Sequence, residues 1–229
     1  MPSRELVIAE MRRVLQAYEP LRALARQASI QQPVIFGGAA VFLCAEQQLF
    51  RPHATAIAPD LDLLIRRCDI HEWQELLGKP FKHEETDRFH GQTLKLHQGG
   101  VEVDLMAIDE FRFPDLAADV VLTFDQNRFP PVETVFEGRL FLALAPALHV
   151  AFKLLLWRDP SRGKHDPDDV AALLLCHPVS CRALLQAIEC PEPSRPALSA
   201  VLRERLGWLA RQHPGTSVEK LYREFCLME

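Results

Sequence analysis

Two aspartates lie one residue apart in the segment PDLDLLIR, at the head of a run of apolar residues. Successive side chains of a β-strand point to opposite faces, so Asp60 and Asp62 would project from one face, about 6.5 to 7 Å apart. Neighbouring carboxylates that are partly withdrawn from water repel each other unless a cation neutralises them. Mg²⁺ is a hard ion that takes carboxylate oxygens together with substrate phosphates. A metal site would explain the pair, but alone the motif is weak, because a strand that begins at the solvent surface after Pro59 has the same spacing.

A third aspartate lies in the segment GVEVDLMAI, where polar and apolar residues alternate. The alternation sets the apolar residues on one face of a strand and Glu102 and Asp104 on the other. If this strand lies beside that of Asp60 and Asp62, three carboxylates converge. They would suit two divalent ions, Mg²⁺ or Mn²⁺, about 3.5 to 4 Å apart, which clamp the attacking and leaving oxygens of a phosphoryl displacement. We therefore predict that Asp60, Asp62 and Asp104 are metal ligands and catalytic residues.

Two glycines stand upstream of the aspartates, in the segment VIFGGAA. The residues VIF are typical of a short buried strand, and the glycines come where a helix would open. Glycine allows close approach to the backbone, and the N–H groups at a helix N-terminus attract anions. Gly37 and Gly38 are therefore candidates for holding phosphate, although a tight strand-to-helix turn would need the same residues.

Helical and strand-like patterns are mixed before residue 145. We predict two N-terminal helices (about 3–18 and 20–29), a strand at PVIF, a helix from Ala39 to Leu49 and a strand at LDLLIR. Asp69 and Glu72 have the spacing of a capping box at the start of another helix. A hairpin should turn on Gly99 and Gly100, followed by strands in VVLTFD and ETVFEGRLFLAL.

Helical spacing continues from about residue 146 to the end of the chain. Helices are expected near 146–157, 167–176, 179–189, 196–212 and 216–228, separated by prolines. We predict an α+β domain over residues 1–145 and a helical domain over residues 146–229.

The composition restricts the class of protein. The chain has 229 residues, 48% hydrophobic and 25% charged, which is typical of a globular protein rather than a disordered one. The net charge of -5 argues against a large basic surface for nucleic acid, although it leaves room for a local basic groove. No run approaches the roughly 18 apolar residues of a membrane span, and the amphipathic N-terminus is no secretory signal. We predict a cytoplasmic protein without a membrane partner.

The order FGG, helix, DLD and a later strand with EVD resembles the nucleotidyltransferase superfamily, whose best known member is DNA polymerase β. The resemblance is closest to small bacterial members, the AbiEii-type toxins and the minimal nucleotidyltransferases. Their pattern is Gly-Gly-x-Ala, an Arg and a Ser or Thr, Asp-x-Asp, a third Asp on a neighbouring strand, and a C-terminal signature of Lys, a basic residue and two Asp. The matching positions are Gly37, Gly38, Ala40, Arg51, Thr55, Asp60, Asp62, Asp104, Lys153, Lys164, Asp166 and Asp169.

This resemblance implies a mixed sheet flanked by helices, with a C-terminal helical bundle. It also implies Mg²⁺-dependent transfer of a nucleoside monophosphate from an NTP, such as ATP, to an acceptor hydroxyl. Asp60 and Asp62 would coordinate two Mg²⁺ ions, and Asp104 would ligate the second ion and receive the hydroxyl proton.

The same resemblance implies that Gly37 and Gly38 hold the β- and γ-phosphates and that Lys153 offsets charge on the triphosphate. Two simpler interpretations stay open here. Lys153 could be a solvated position on its helix, and Asp166 could be the N-cap of a helix that has Pro167 in its first turn.

The acceptor is left open by the sequence: an RNA end such as that of tRNA, a protein hydroxyl and a small molecule such as an aminoglycoside all fit. Two other classes of protein also remain. One is a catalytically degenerate member of the fold that acts as a binding or regulatory protein. The other is a metal-dependent hydrolase that uses the same acids with water as the nucleophile.

Overall fold

The computed structural model describes residues 4–45, 60–114, 116, 120–158 and 165–228. The chain divides into two compact units. Of the described residues, the first unit holds 4–43, 60–109 and 131–144, and the second holds the remainder, of which 145–158 and 165–228 are the largest part.

The helices of the first unit include the two that were predicted at the N-terminus. They are α1 (Arg4–Gln16), α2 (Tyr18–Gln27), α3 (Gly37–Cys44) and α4 (Ile70–Leu77). Tyr18 is fully buried, and its hydroxyl donates a hydrogen bond to the carbonyl of Pro33 at 2.8 Å. This bond ties α2 to the residue just before the first strand.

The strands in chain order are β1 (Val34–Ile35), β2 (Asp60–Leu64), β3 (Lys82–Glu85), β4 (Phe89–Gln98), β5 (Val101–Arg112), β6 (Val121–Leu122), β7 (Val132–Phe136), β8 (Arg139–Ala143) and β9 (Ile188–Glu189). In the first unit the sheet order is β3-β4-β5-β2-β1-β8-β7. The sheet is mixed, because β2 runs parallel to β5 and β1 runs parallel to β8, while β1–β2, β3–β4 and β7–β8 are antiparallel.

Alternation of side chains decides which face of the sheet is buried. Leu61 and Leu63 on β2 and Val103 and Leu105 on β5 have no exposed surface, whereas the polar residues between them are half-buried. The hairpin between β4 and β5 turns on the Gly99–Gly100 pair, as predicted. Both glycines have positive φ, 56° and 76°, as the two central residues of a type I′ hairpin turn require.

The second unit is dominated by helices. They are α5 (Pro146–Leu156), α6 (Asp166–Cys176), α7 (Cys181–Ala187), α8 (Arg195–Gln212) and α9 (Ser217–Leu227). Side-chain caps begin two of them: Ser180 accepts a hydrogen bond from the Ala183 amide, and Thr216 accepts one from the Val218 amide. The strands β6 and β9 pair antiparallel with each other in this unit.

The predicted α+β class is confirmed, with a mixed sheet, helices beside it and helices to the end of the chain. The predicted capping box is wrong. The helix α4 does begin after Asp69, but the Asp69 carboxylate accepts hydrogen bonds from the Arg66 guanidinium at 2.8 and 2.9 Å and caps no helical amide. In the described part of the chain, no helix has the length and apolar character needed to cross a membrane.

Candidate active site

Four carboxylates form a ladder across two neighbouring strands of the first unit. The parallel pairing of β2 with β5 sets Asp60 opposite Glu102 and Asp62 opposite Asp104. Paired residues of adjacent strands lie about 4.8 Å apart and point to the same face. The structure thus brings the three predicted aspartates together on one face and adds Glu102. We call these four residues the acid ladder.

A lysine from the next strand binds one side of the acid ladder. The Nζ of Lys95, on β4, donates to Glu102 Oε1 at 3.0 Å and to Asp104 Oδ2 at 3.2 Å. The Lys95 side chain is 62% exposed, whereas that of Asp104 is only 18% exposed. Lys95 is therefore a solvated cation that reaches a more enclosed anion.

Asp104 has the most unusual surroundings of the ladder residues. Its Oδ1 atom is buried, and none of the described residues donates a hydrogen bond to it. Burial raises the pKa of Asp104, against the opposing effect of the Lys95 hydrogen bond and charge. A buried carboxylate oxygen without a donor is costly, and either a proton or a cation would satisfy it.

The start of α3 packs directly against Asp62. Gly37 has φ +68°, and a Cβ atom built on it would lie 2.3 Å from Asp62 Oδ2. The amide of Phe36 also donates to the Asp62 carbonyl at 3.0 Å. Only glycine fits this position, because a side chain would need both a strained backbone and the space that the carboxylate occupies. Gly38 is the second residue of α3 and is half-buried.

The ladder residues have the chemistry of a divalent cation site. They offer only carboxylate oxygens, which Mg²⁺ and Mn²⁺ prefer, and one of these oxygens is buried without a donor. When all four carboxylates are ionised, the Lys95 ammonium balances one of their four negative charges. In the part of the chain that the structure describes, no three His, Cys, Asp or Glu side chains are arranged to hold a metal ion as they stand. Asp60, Asp62, Glu102 and Asp104 fit such an ion by donor type and by their shared face of the sheet, but their carboxylates would have to converge on it, with Asp104 released from Lys95.

Lys153 lies in the second unit, on α5, and is almost completely buried. Its ammonium contacts Asp166 Oδ1 at 3.1 Å and Asp169 Oδ2 at 2.8 Å. Coulombic attraction and hydrogen bonding to these carboxylates overcome the effect of burial and raise the pKa of Lys153. The lysine that was predicted to offset phosphate charge therefore already has two carboxylate partners within its own unit.

Asp166 is the centre of this buried cluster. It has no exposed surface and accepts hydrogen bonds from the Arg158 amide, Nε and Nη2 at 2.8 to 2.9 Å. Burial alone would raise the pKa of Asp166, but the bonds from Arg158 and the charge of Lys153 lower it to about 2. The interpretation of Asp166 as an N-cap is wrong, because α6 begins at Asp166 itself and its carboxylate binds these cations.

A histidine lies beside the cluster on α5. His149 is fully buried, and neither ring nitrogen has a hydrogen-bond partner among the described residues. Burial, together with the charge of Lys153, lowers the pKa of His149 to about 3, so the imidazole is neutral. No feature of the sequence marked this residue out.

Several predicted positions lie outside the described residues: Arg51, Thr55 and Lys164, together with the end of the helix predicted to reach Leu49. Ala40 is fully buried within α3. Sequence reasoning passed over Glu102, although the alternation had set it on the face of Asp104. It also missed Lys95, although the predicted two-residue turn on Gly99 and Gly100 sets position 95 opposite position 104 in the hairpin of β4 and β5.

Comparison with known proteins yields similarity to solved structures. A nucleotidyltransferase-like antigenic protein from Paracoccidioides brasiliensis is 16% identical, with 93% of each chain covered and a TM-score of 0.47. A Thermotoga maritima protein proposed to be a nucleotidyltransferase is 15% identical, with 65% of this chain and 89% of that chain covered and a TM-score of 0.45. The antibiotic-resistance factor ANT(2'')-Ia is 16% identical, with 92% and 98% covered and a TM-score of 0.41.

No protein-family model and no curated protein matches the chain. At 15% to 16% identity and TM-scores of 0.41 to 0.47, the three solved structures carry no inference about activity. The functional proposal depends on the acid ladder and the residues around it.

Proposed function

We propose that the first unit binds a nucleoside triphosphate with Mg²⁺ or Mn²⁺ and transfers its nucleoside monophosphate to an acceptor hydroxyl. The observation that supports this proposal most strongly is the register of β2 and β5, which places Asp62 opposite Asp104 on one face of the sheet. The close contact between Gly37 and Asp62 supports it further, because it brings the start of α3 to the same carboxylates. Kinship with the AbiEii-type and minimal nucleotidyltransferases is part of this proposal and is carried by the sequence motifs.

The three aspartates of the acid ladder would have different roles. Asp60 and Asp62 would bind divalent ions, which when present orient the triphosphate and stabilise charge on its oxygens. Asp104 would take the proton of the acceptor hydroxyl, and burial suits it to this role because it raises its pKa. The acceptor oxygen then forms a bond to the α-phosphorus, the bond from that phosphorus to the bridging oxygen breaks, and pyrophosphate leaves.

Gly37 and Gly38 would hold the β- and γ-phosphates. The first turn of α3 has backbone N–H groups without helical acceptors, and glycine allows phosphate to approach them closely. The contact of Lys153 with the triphosphate stays a prediction. Because Asp166 and Asp169 already bind its ammonium, the proposal does not depend on Lys153.

Asp104→Asn tests the proposal most directly. An interaction made mainly on the way to the transition state appears in rate rather than in substrate affinity. We expect this variant to bind Mg²⁺-NTP within a few-fold of wild type in calorimetry, while transfer falls by roughly 10² or more. The double variant Asp60→Asn with Asp62→Asn should lose Mg²⁺-dependent NTP binding as well.

A matched control is available in the same unit. Glu133 is exposed on β7, and Glu133→Gln removes one negative charge without touching the acid ladder. It should leave both binding and transfer unchanged. If the wild type binds NTP equally well with and without divalent metal, the proposed role of the acid ladder in metal binding is wrong.

The acceptor requires a separate experiment. The protein would be incubated with each α-labelled NTP, Mg²⁺ and a cell extract, and the label followed into RNA, protein and small molecules. We propose a cytoplasmic setting for this reaction and leave tRNA, protein and small-molecule acceptors as its outcomes. Label released only as free nucleotide would instead identify a hydrolase.

One observation favours a second candidate, a degenerate binding or regulatory protein. The Lys95 ammonium forms an ion pair with Asp104, as a resident cation would in a protein that does not use a second metal ion. In that case the wild type would bind NTP without transferring it to any component of the extract. Asp104→Asn would then be indistinguishable from wild type in every assay.

A further inference from the structure

We propose that the ammonium of Lys95 competes with divalent cations for the carboxylate of Asp104. In the metal-free protein this ammonium holds the Asp104 carboxylate, and it must leave before that carboxylate can bind an ion. The inference depends on the metal-binding part of the proposed function. It adds a residue that the superfamily pattern in this sequence does not include.

The geometry makes the two sides of the acid ladder unequal. Lys95 contacts Glu102 and Asp104, both on β5, at 3.0 and 3.2 Å. Asp60 and Asp62 lie opposite them on β2. An ion that uses Asp60 and Asp62 would not have to displace the ammonium from its partners, whereas an ion that takes Asp104 as a ligand would.

The exposure of the groups indicates which of them can move. The Lys95 side chain is 62% exposed, so water can solvate its ammonium when it leaves Asp104. Asp104 is 18% exposed, and its short side chain has fewer rotatable bonds than that of lysine, so its carboxylate has less freedom to move than the Lys95 ammonium. The lysine is thus the more readily displaced partner of the two.

Binding of Mn²⁺ alone, without nucleotide, tests this proposal. Mn²⁺ would be titrated into wild type, Lys95→Met and Lys82→Met, and the free ion followed by electron paramagnetic resonance. Lys82 is an exposed lysine on β3, so its loss changes the net charge equally. We expect Lys95→Met to bind Mn²⁺ about threefold to tenfold more tightly than wild type, the scale of one or two partly exposed ion pairs. Lys82→Met should stay within twofold of wild type.

A double variant separates competition at Asp104 from a general effect of charge. In an Asp104→Asn background, Lys95→Met should no longer improve Mn²⁺ affinity, because the contested ligand has been removed. Lys95→Gln replaces Lys95→Met if the latter does not fold, as judged by circular dichroism. A gain that persists without Asp104 would overturn the proposal.

The outcomes also distinguish this inference from the proposed function. If the wild type binds Mn²⁺ and Lys95→Met binds it equally, Lys95 is a surface ion pair and the inference alone fails. If neither protein binds Mn²⁺, the metal-binding part of the proposed function fails and the inference fails with it. Transfer of labelled nucleotide in the absence of any Lys95 effect would leave the proposed function standing.

Discussion

Gly37→Ala perturbs the acid ladder without changing any of its residues. A Cβ atom at Gly37 would lie 2.3 Å from Asp62 Oδ2 and 3.2 Å from its Cγ. The carboxylate would have to move by about 1 Å to reach an ordinary contact of 3.4 Å or more. The change therefore acts on the position of Asp62 and leaves its charge in place.

The expected cost has two parts that can be measured separately. Alanine at φ +68° loses about 1 to 2 kcal/mol of stability because of the left-handed backbone. Gly138→Ala should lose a similar amount, since Gly138 has φ +76°, but a Cβ there meets nothing within 4 Å. Displacement of Asp62 adds a loss of function, because a misplacement of about 1 Å at a catalytic group can reduce the rate by roughly 10².

Urea unfolding and Mn²⁺-NTP calorimetry would be carried out on both glycine variants. Both should be destabilised by similar amounts, and only Gly37→Ala should weaken nucleotide binding and transfer. If Gly37→Ala binds and transfers nucleotide as well as Gly138→Ala does, the proximity of Gly37 to Asp62 is not important for function. The assignment of this segment to phosphate binding is then wrong.

Three further predictions concern the stability of the folded protein. In the folded protein the pKa of His149 is lowered from 6.5 to about 3, so the buried ring stays neutral at pH 5, whereas in the unfolded chain it binds a proton below about pH 6.5. Wild-type stability should therefore fall by up to about 2 kcal/mol from pH 6.5 to 5, and His149→Leu should remove that dependence in urea unfolding. Asp166→Asn should lower the free energy of unfolding by about 3 kcal/mol because it weakens a buried ion cluster, whereas exposed Asp168→Asn should cost less than about 1 kcal/mol. Gly91→Ala should lower the free energy of unfolding by about 2 kcal/mol, since a Cβ atom at this position would lie 2.4 Å from the Ala107 carbonyl oxygen.

Much of the acid ladder follows from the period of a β-strand. The alternation in DLDLL and VEVDL fixes which residues share a face in each strand, and the structure shows the expected pattern of buried and half-buried positions. Alternation does not determine which strands are neighbours or how they are aligned. The parallel pairing of Asp62 with Asp104 is a tertiary property, so the sequence predicted convergence only on the condition that the two strands lie side by side.

The wrong predictions share a physical cause. Asp69 and Asp166 both stand where a carboxylate could cap a helix, and each binds an arginine instead: Asp69 binds Arg66, and Asp166 binds Arg158. A bidentate contact with a guanidinium joins two charges, whereas a cap joins one charge to a neutral amide, so the guanidinium contact is the stronger interaction. Sequence spacing describes the local cap well but does not show that a cation is within reach.

The two central aspartates of the ladder have different neighbours, and this difference agrees with the different roles proposed for them. The Asp62 carboxylate occupies the space that a side chain at position 37 would need, so it lies close to the backbone of Gly37. Asp104 is bound by the end of an exposed lysine, which can move into water, and its second oxygen has no donor among the described residues. A ligand that must orient substrate benefits from rigid confinement, because reorganisation during the reaction is costly. A group that must exchange its partner for a proton or an ion benefits from a displaceable one. Under the proposed function, close packing against Gly37 would suit Asp62 to binding the ion that holds the triphosphate, and a displaceable partner would suit Asp104, opposite it on β5, to activation of the acceptor.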